Sequence, residues 1–175
     1  MISSSYNWKL PLAKSADYLA RVRVGDSTND RVLVRIEKEL LLGFYSVRRL
    51  LETYTVTDKT KALYLDIVWH KAIRVVDYLN LHRLEKNYDL TVRHGERRDI
   101  SYLCNLFIHS YVFVPEFTDM KLKGVFIASD RTRQSRCYFI TRAQICKIFR
   151  AVAYDDPCEI TLTRDASGQI SGSAR

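Results

Sequence analysis

Asn105 and His109 stand four residues apart inside an otherwise apolar run, SYLCNLFIHSYVFV (101–114). On a helix, that spacing places the amide and the imidazole one above the other on a single face. Two polar groups on a stripe that should be apolar are either hydrogen-bonded core residues or the lining of a site. As a site, they suit chemistry at a phosphodiester. An imidazole handles protons near neutral pH, and an amide hydrogen-bonds a phosphate oxygen or orients the ring. Such a site also needs a cation for the charge that builds on the phosphate oxygens. Arg98, just upstream, and Arg74, on the preceding element, are candidates for that role, as are Arg131, Arg133 and Arg136 in DRTRQSR. Arginines clustered on a turn suit phosphate contact. The same cluster also suits the protection of a sheet edge from unwanted pairing.

Three helices are expected to position the pair. Leu33, Ile36, Leu40, Phe44, Val47 and Leu51 step by three and four, which predicts an amphipathic helix over 30–54. Gly43 inside it points to close packing against a neighbour. A second helix is read over 60–84, with Leu65, Val68, Trp69, Ala72, Val76 and Leu79 turned inward, and a third over 98–113, stopping before Pro115. Ahead of them lie a short helix over 14–24 and a loop, GDSTND. On the second helix Asp66, His70, Arg74 and Asp77 form a polar stripe, which is either a solvated face or the wall of a cleft facing His109.

After Pro115 the periodicity changes. KGVFIASD and SRCYFIT read as a β-hairpin around the arginine-bearing turn. Thr141 and Gln144 form a capping-box pattern that opens a further helix, and CEITLTRD with GQISGS reads as a closing strand pair. The expected fold class is α+β, a helical bundle of three main helices followed by a small antiparallel β unit with one helix. Residues 1–175 are expected to form a single domain, helical over 1–114 and β-rich over 115–175.

LCNLFIHSY resembles the signature helix of HEPN domains, helical bundles whose hallmark is an Arg, a polar residue that is often Asn, three further residues and then His. Asn105 and His109 match the Asn-x-x-x-His part. The resemblance implies an RNA-associated protein, in many members a metal-independent endoribonuclease of a defence or toxin–antitoxin system and in others a non-catalytic module. His109 and Asn105 would be catalytic, and the site would lie at the interface of a homodimer. Cys104 occupies the family's Arg position and cannot supply the charged fork that grips phosphate. A partner subunit's arginine or Arg74 would have to complete the site.

Composition bounds the alternatives. Of 175 residues, 28 are Lys or Arg and 20 are Asp or Glu, a net charge of +8 that favours RNA or another polyanion as partner. A non-catalytic basic module that binds nucleic acid or an acidic protein satisfies the same surplus. Cys104, Cys137, Cys146 and Cys158 show no metal-ligand spacing, so no metal and no cofactor is expected. The opening stretch lacks the apolar core of a secretory leader, and no run is long enough to span a bilayer. A cytoplasmic protein with reduced thiols is the expectation.

Overall fold

Every third or fourth residue from Ile36 to Leu50 is apolar, and the helix this dictates, α2 (Asp30–Leu51), buries Ile36, Leu40, Phe44, Val47 and Leu50 along one side. The computed structural model describes residues 4–25 and 30–175. Most of the GDSTND loop, residues 26–29, lies outside the described residues. Before it runs α1 (Tyr6–Arg21), which is longer than the 14–24 segment expected. After α2 come a single turn, α3 (Asp58–Lys61), and then β1 (Tyr64–Lys71), α4 (Leu84–Asn87), β2 (His94–Asp99) and α5 (Ile100–Ile108). The chain continues through β3 (Ser110–Thr118), β4 (Lys121–Ser129), β5 (Arg136–Thr141), α6 (Arg142–Ala153), β6 (Ile160–Arg164) and β7 (Ile170–Ala174). The first five strands form one antiparallel sheet in the order β2-β1-β5-β4-β3, and β6 pairs with β7 apart from it.

The chain is α+β as expected, but it is not a three-helix bundle followed by a β unit. The segment read as a second helix begins with a central strand. Along Tyr64–Lys71, Leu65, Ile67 and Trp69 face the helices, while Val68 and His70 face the other side of the sheet. Tyr64 and Asp66 are exposed, but from Ile67 to His70 the strand is covered on both sides, and its adjacent apolar residues Ile67, Val68 and Trp69 fit a 3.6-residue stripe as readily as an alternation. Beyond Lys71 the chain turns rather than coils, leaving Tyr78 and Leu79 each 82% exposed. The third helix is also shorter than expected. It stops at Ile108, and β3 starts at Ser110 and passes through Pro115. Proline is tolerated there because β3 is an edge strand, where its missing N–H need not break a ladder bond. The division at Pro115 therefore fails, since two strands precede it.

Helices α1, α2, α5 and α6 cover one face of the sheet and enclose the main core with it. Phe44 of α2 stacks on Phe107 of α5 with ring centroids 3.8 Å apart, and meets the edge of Phe149 of α6 at 5.1 Å. Gly43 is the place where the Phe149 ring lies directly against the α2 backbone, in the space a side chain would occupy. On the opposite face a smaller cluster, Val76, Tyr88, Val112, Ala128 and Cys137, forms where residues 72–90 fold back over the strands. The capping box opens α6 as expected, with Thr141 accepting from the Gln144 N–H. Among the described residues no helix is long and apolar enough to cross a membrane.

Gly43→Val should therefore destabilise the fold by about 1–3 kcal/mol through overpacking against Phe149. Gly95→Ala, at a position with nothing within 4 Å of an added methyl, should stay within ~1 kcal/mol of the parent chain. Urea denaturation of the two variants checks both, and equal stabilities would refute the packing role.

Candidate functional site

Five of the nine residues of α5 are buried: Ile100, Leu103, Cys104, Leu106 and Phe107. Asp99 caps the helix by accepting the Tyr102 N–H at 2.7 Å. With that face committed to the core, Asn105 and His109 both emerge on the exposed side. They are not core residues. His109 is the C-cap of α5, and its carbonyl accepts the Asp130 N–H at 3.3 Å. This bond joins the end of α5 to the β4–β5 turn. In that turn Ser129 accepts the Arg133 N–H at 2.9 Å, and the Thr132 hydroxyl accepts the Ser129 N–H at 3.0 Å.

Between the helix end and the turn lies a notch of about 520 Å³, lined by Tyr102, Asn105, His109, Asp130, Arg131 and their neighbours. Arg131 is exposed. Among the described residues nothing hydrogen-bonds the side chains of Asn105, His109 or Arg131. An amide, an imidazole and a guanidinium thus open into one space with their polar groups unspent.

The other expected cations are disposed differently. Arg98 lies 4.3 Å over the ring of Tyr102, which itself lines the notch, and its guanidinium donates to both Glu96 oxygens at 2.7 and 3.2 Å. Arg136 donates to the same carboxylate at 2.9 Å and lies 4.7 Å from the Trp69 ring centre. Arg133 holds structure together. It donates to Asp130 at 3.0 Å and to the Val76 carbonyl, and it lies 4.1 Å over the Tyr111 ring. Arg74 is exposed in the segment after β1 and does not line the notch. The polar stripe of Asp66, His70, Arg74 and Asp77 does not exist as a helix face, because Asp66 and His70 lie on a strand and Arg74 and Asp77 follow it.

Of the residues in this region, His94 and Glu96 are not among the candidates expected from the sequence. On β2, His94, Glu96 and Arg98 alternate on the side of the sheet that bears α5, and His94 stacks on Trp69 at 4.2 Å. The Tyr102 and Tyr138 hydroxyls share a 2.7 Å hydrogen bond. The signal was the period-two spacing in HGERRD, hidden by its polarity. Burial raises the Glu96 pKa, but hydrogen bonds to Arg98 and Tyr138 and the charges of Arg98 and Arg136 outweigh it, and the net value falls below the ordinary one.

Cys104 is fully buried, and burial pushes its thiol up to about 12. The position that the HEPN-like pattern would give to a phosphate-binding arginine thus faces the core. The cation that enters the notch comes instead from the β4–β5 turn, as Arg131. All four cysteines are free, with Cys158 exposed and the other three buried. No protein-family model matches the chain, and no curated protein or solved structure shows similarity to it.

Two outcomes follow from this geometry. Cys104→Arg would bury a guanidinium without a counter-ion, so it should unfold the chain rather than add a cation to the notch; a native circular-dichroism melt for that variant would contradict the placement. Glu96, whose folded pKa is depressed, contributes stability that is complete above its ordinary value of 4.5 and is lost as pH falls through its lower folded value. Glu96→Gln should therefore be less stable than the parent at pH 7, with the gap closing as the pH drops below 4.5. A gap independent of pH would dismiss the ion-pair role.

Proposed function

We propose that this is an RNA-associated protein that engages single-stranded RNA at the notch between α5 and the β4–β5 turn. The observation that carries this reading is the convergence of Asn105, His109 and Arg131 on one open space, each with its polar group free of partners among the described residues. Arg131 meets a phosphate, Asn105 hydrogen-bonds it, and His109 stands where it can exchange a proton with a ribose hydroxyl. Half-buried Tyr102 on the notch wall adds a sequence-tolerant surface, since bases stack on rings and on guanidinium planes. The Arg98 guanidinium, 4.3 Å over the Tyr102 ring, offers such a plane at the same wall.

The same three groups define a reaction. His109 takes the proton from the 2′-hydroxyl as that oxygen attacks the adjacent phosphorus, and Arg131 stabilises the charge on the non-bridging oxygens. The P–O5′ bond breaks, leaving a 2′,3′-cyclic phosphate and a 5′-hydroxyl that takes up a proton. This is the metal-independent chemistry that the HEPN-like helix implies, with the cation drawn from another element. Of that resemblance, α5 alone supports the reading, because the accompanying bundle is replaced by a sheet.

The test is RNA binding and cleavage with EDTA present throughout. Affinity for a short single-stranded RNA should fall as salt rises, and Arg131→Ala should weaken binding about tenfold and lower the salt slope by roughly 0.7, the share of one phosphate contact. His109→Ala should remove cleavage while leaving binding within about threefold, since losing an acid–base group costs on the order of 100-fold or more in rate. Undiminished binding by Arg131→Ala would overturn the assignment of the notch. Cleavage that survives His109→Ala would overturn the reaction.

A further inference from the structure

The opposite face of the sheet carries a second histidine in a very different setting. His70 of β1 is 4% exposed, and its Nδ1 lies 2.9 Å from the Val92 carbonyl and 3.2 Å from the Asp89 carbonyl. Carbonyls only accept, so Nδ1 carries the hydrogen, and in the neutral ring Nε2 presents a bare lone pair on the far side. Nothing in the described residues donates to that lone pair. Asn87 Oδ1 is the one sealed side-chain polar atom without a partner among the described residues, so Nε2 is not sealed off. His70 helps to line a cleft of about 540 Å³, within the usual range for small-molecule sites.

The floor of the cleft is aromatic. Phe126 and Phe139 sit on the same face with ring centroids 4.7 Å apart and tilted by 43°, and His70 packs 5.8 Å from Phe126. Gly124 makes this arrangement possible. A Cβ there would come within 2.6 Å of the Phe139 ring and 2.5 Å of the Ile140 carbonyl, so the missing side chain is what lets the ring lie across β4.

Charge at the rim then restricts the ligand. Lys123 and Glu116 neutralise each other at 3.0 Å. Arg93 and Glu85 also line the cleft, are exposed, and form no ion pair among the described residues. The cleft therefore presents an acceptor against the aromatic floor, a second acceptor at the rim and an uncommitted cation. The complement is a flat ring with an N–H donor, hydroxyl groups and an anion.

We propose that this cleft binds a nucleotide, with the base against Phe126 and Phe139 donating an N–H to His70 Nε2, the ribose hydroxyls donating to Glu85 and the phosphate on Arg93. The inference is independent of the notch, which lies on the other face of the sheet. A free nucleotide and the terminal residue of an RNA strand share this chemistry, and the probes separate them.

The experiment is calorimetric titration of the full chain in the Arg131→Ala background, where the notch has lost its cation. Adenosine 5′-monophosphate, adenosine and a short oligoadenylate serve as probes. Binding of the monophosphate with a Kd of ~1 mM or tighter, about tenfold stronger than adenosine, is the expected result. Arg93→Gln should bring the two within about twofold, and His70→Phe, which keeps a ring but removes the acceptor, should weaken both by about tenfold. Arg93 is exposed, so its variant keeps the test decisive even where His70→Phe disturbs folding. Binding of the oligomer alone, with the same dependence on Arg93, identifies an RNA terminus as the source. No binding by any probe, or affinities untouched by Arg93→Gln, would overturn the proposal.

Discussion

The contact of Phe44 with Phe107, ring on ring at 3.8 Å, is the constraint on which the helical layer depends. A helix of nine residues such as α5 does not hold together in water on its own. It persists because Asp99 caps one end and because Phe107 locks the other against α2. Phe149 completes the cluster from α6, and it can do so only because position 43 has no side chain. The rotation of α5 about its axis follows from this packing. Once Leu103, Cys104, Leu106 and Phe107 point inward, Asn105 and His109 have no direction left but outward. The candidate site is thus a consequence of core packing several ångströms away from it.

What could be read from the sequence followed from how each element is covered. α2, α6 and the β6–β7 pair were legible, the two helices because each has one buried side and one wet side, so that periodicity separates them cleanly. The β4–β5 hairpin was legible through its polar turn. β1 was not, because the helices cover Leu65 and Ile67 while Val68 and His70 are covered from the other side. Over its second half, covered on both faces, the strand loses the alternation that would announce it. β2 failed for the opposite reason. His94, Glu96 and Arg98 are polar residues on the inward-turned side; Arg98 pairs locally with Glu96 and Tyr102, while His94 and Glu96 also reach Trp69 and Arg136, far away in sequence. Such partners, like Arg136 for Glu96, exist only after folding.

The arginines show why a basic composition is a poor guide to a basic site. Of the five read as phosphate contacts, Arg98 and Arg136 share the Glu96 carboxylate, and Arg133 is held by Asp130 and the Val76 carbonyl. Arg74 stands apart from the others. Only Arg131 stays uncommitted beside His109, because the hydrogen bond from Asp130 to the His109 carbonyl brings the turn to the helix end. Sequence proximity grouped Arg131, Arg133 and Arg136. The turn then splayed them onto different partners, and a backbone contact to α5 brought only Arg131 of the three to the notch.

β5 lies at the centre of the sheet, and its alternation keeps the two faces distinct. Arg136 and Tyr138 turn toward the side that bears α5, where they meet Trp69, Glu96 and Tyr102. Cys137 and Phe139 turn the other way, toward the small cluster and the cleft under His70. A slip of one residue in its pairing would exchange these sets and remove both arrangements at once. That slip is opposed from both edges of the strand, because β1 pairs Trp69 with Tyr138 and β4 pairs Phe126 with Phe139. Cover on both faces, which concealed the second half of the neighbouring strand in the sequence, is also what holds an exposed histidine on one side and a tautomer-locked histidine on the other in fixed relation.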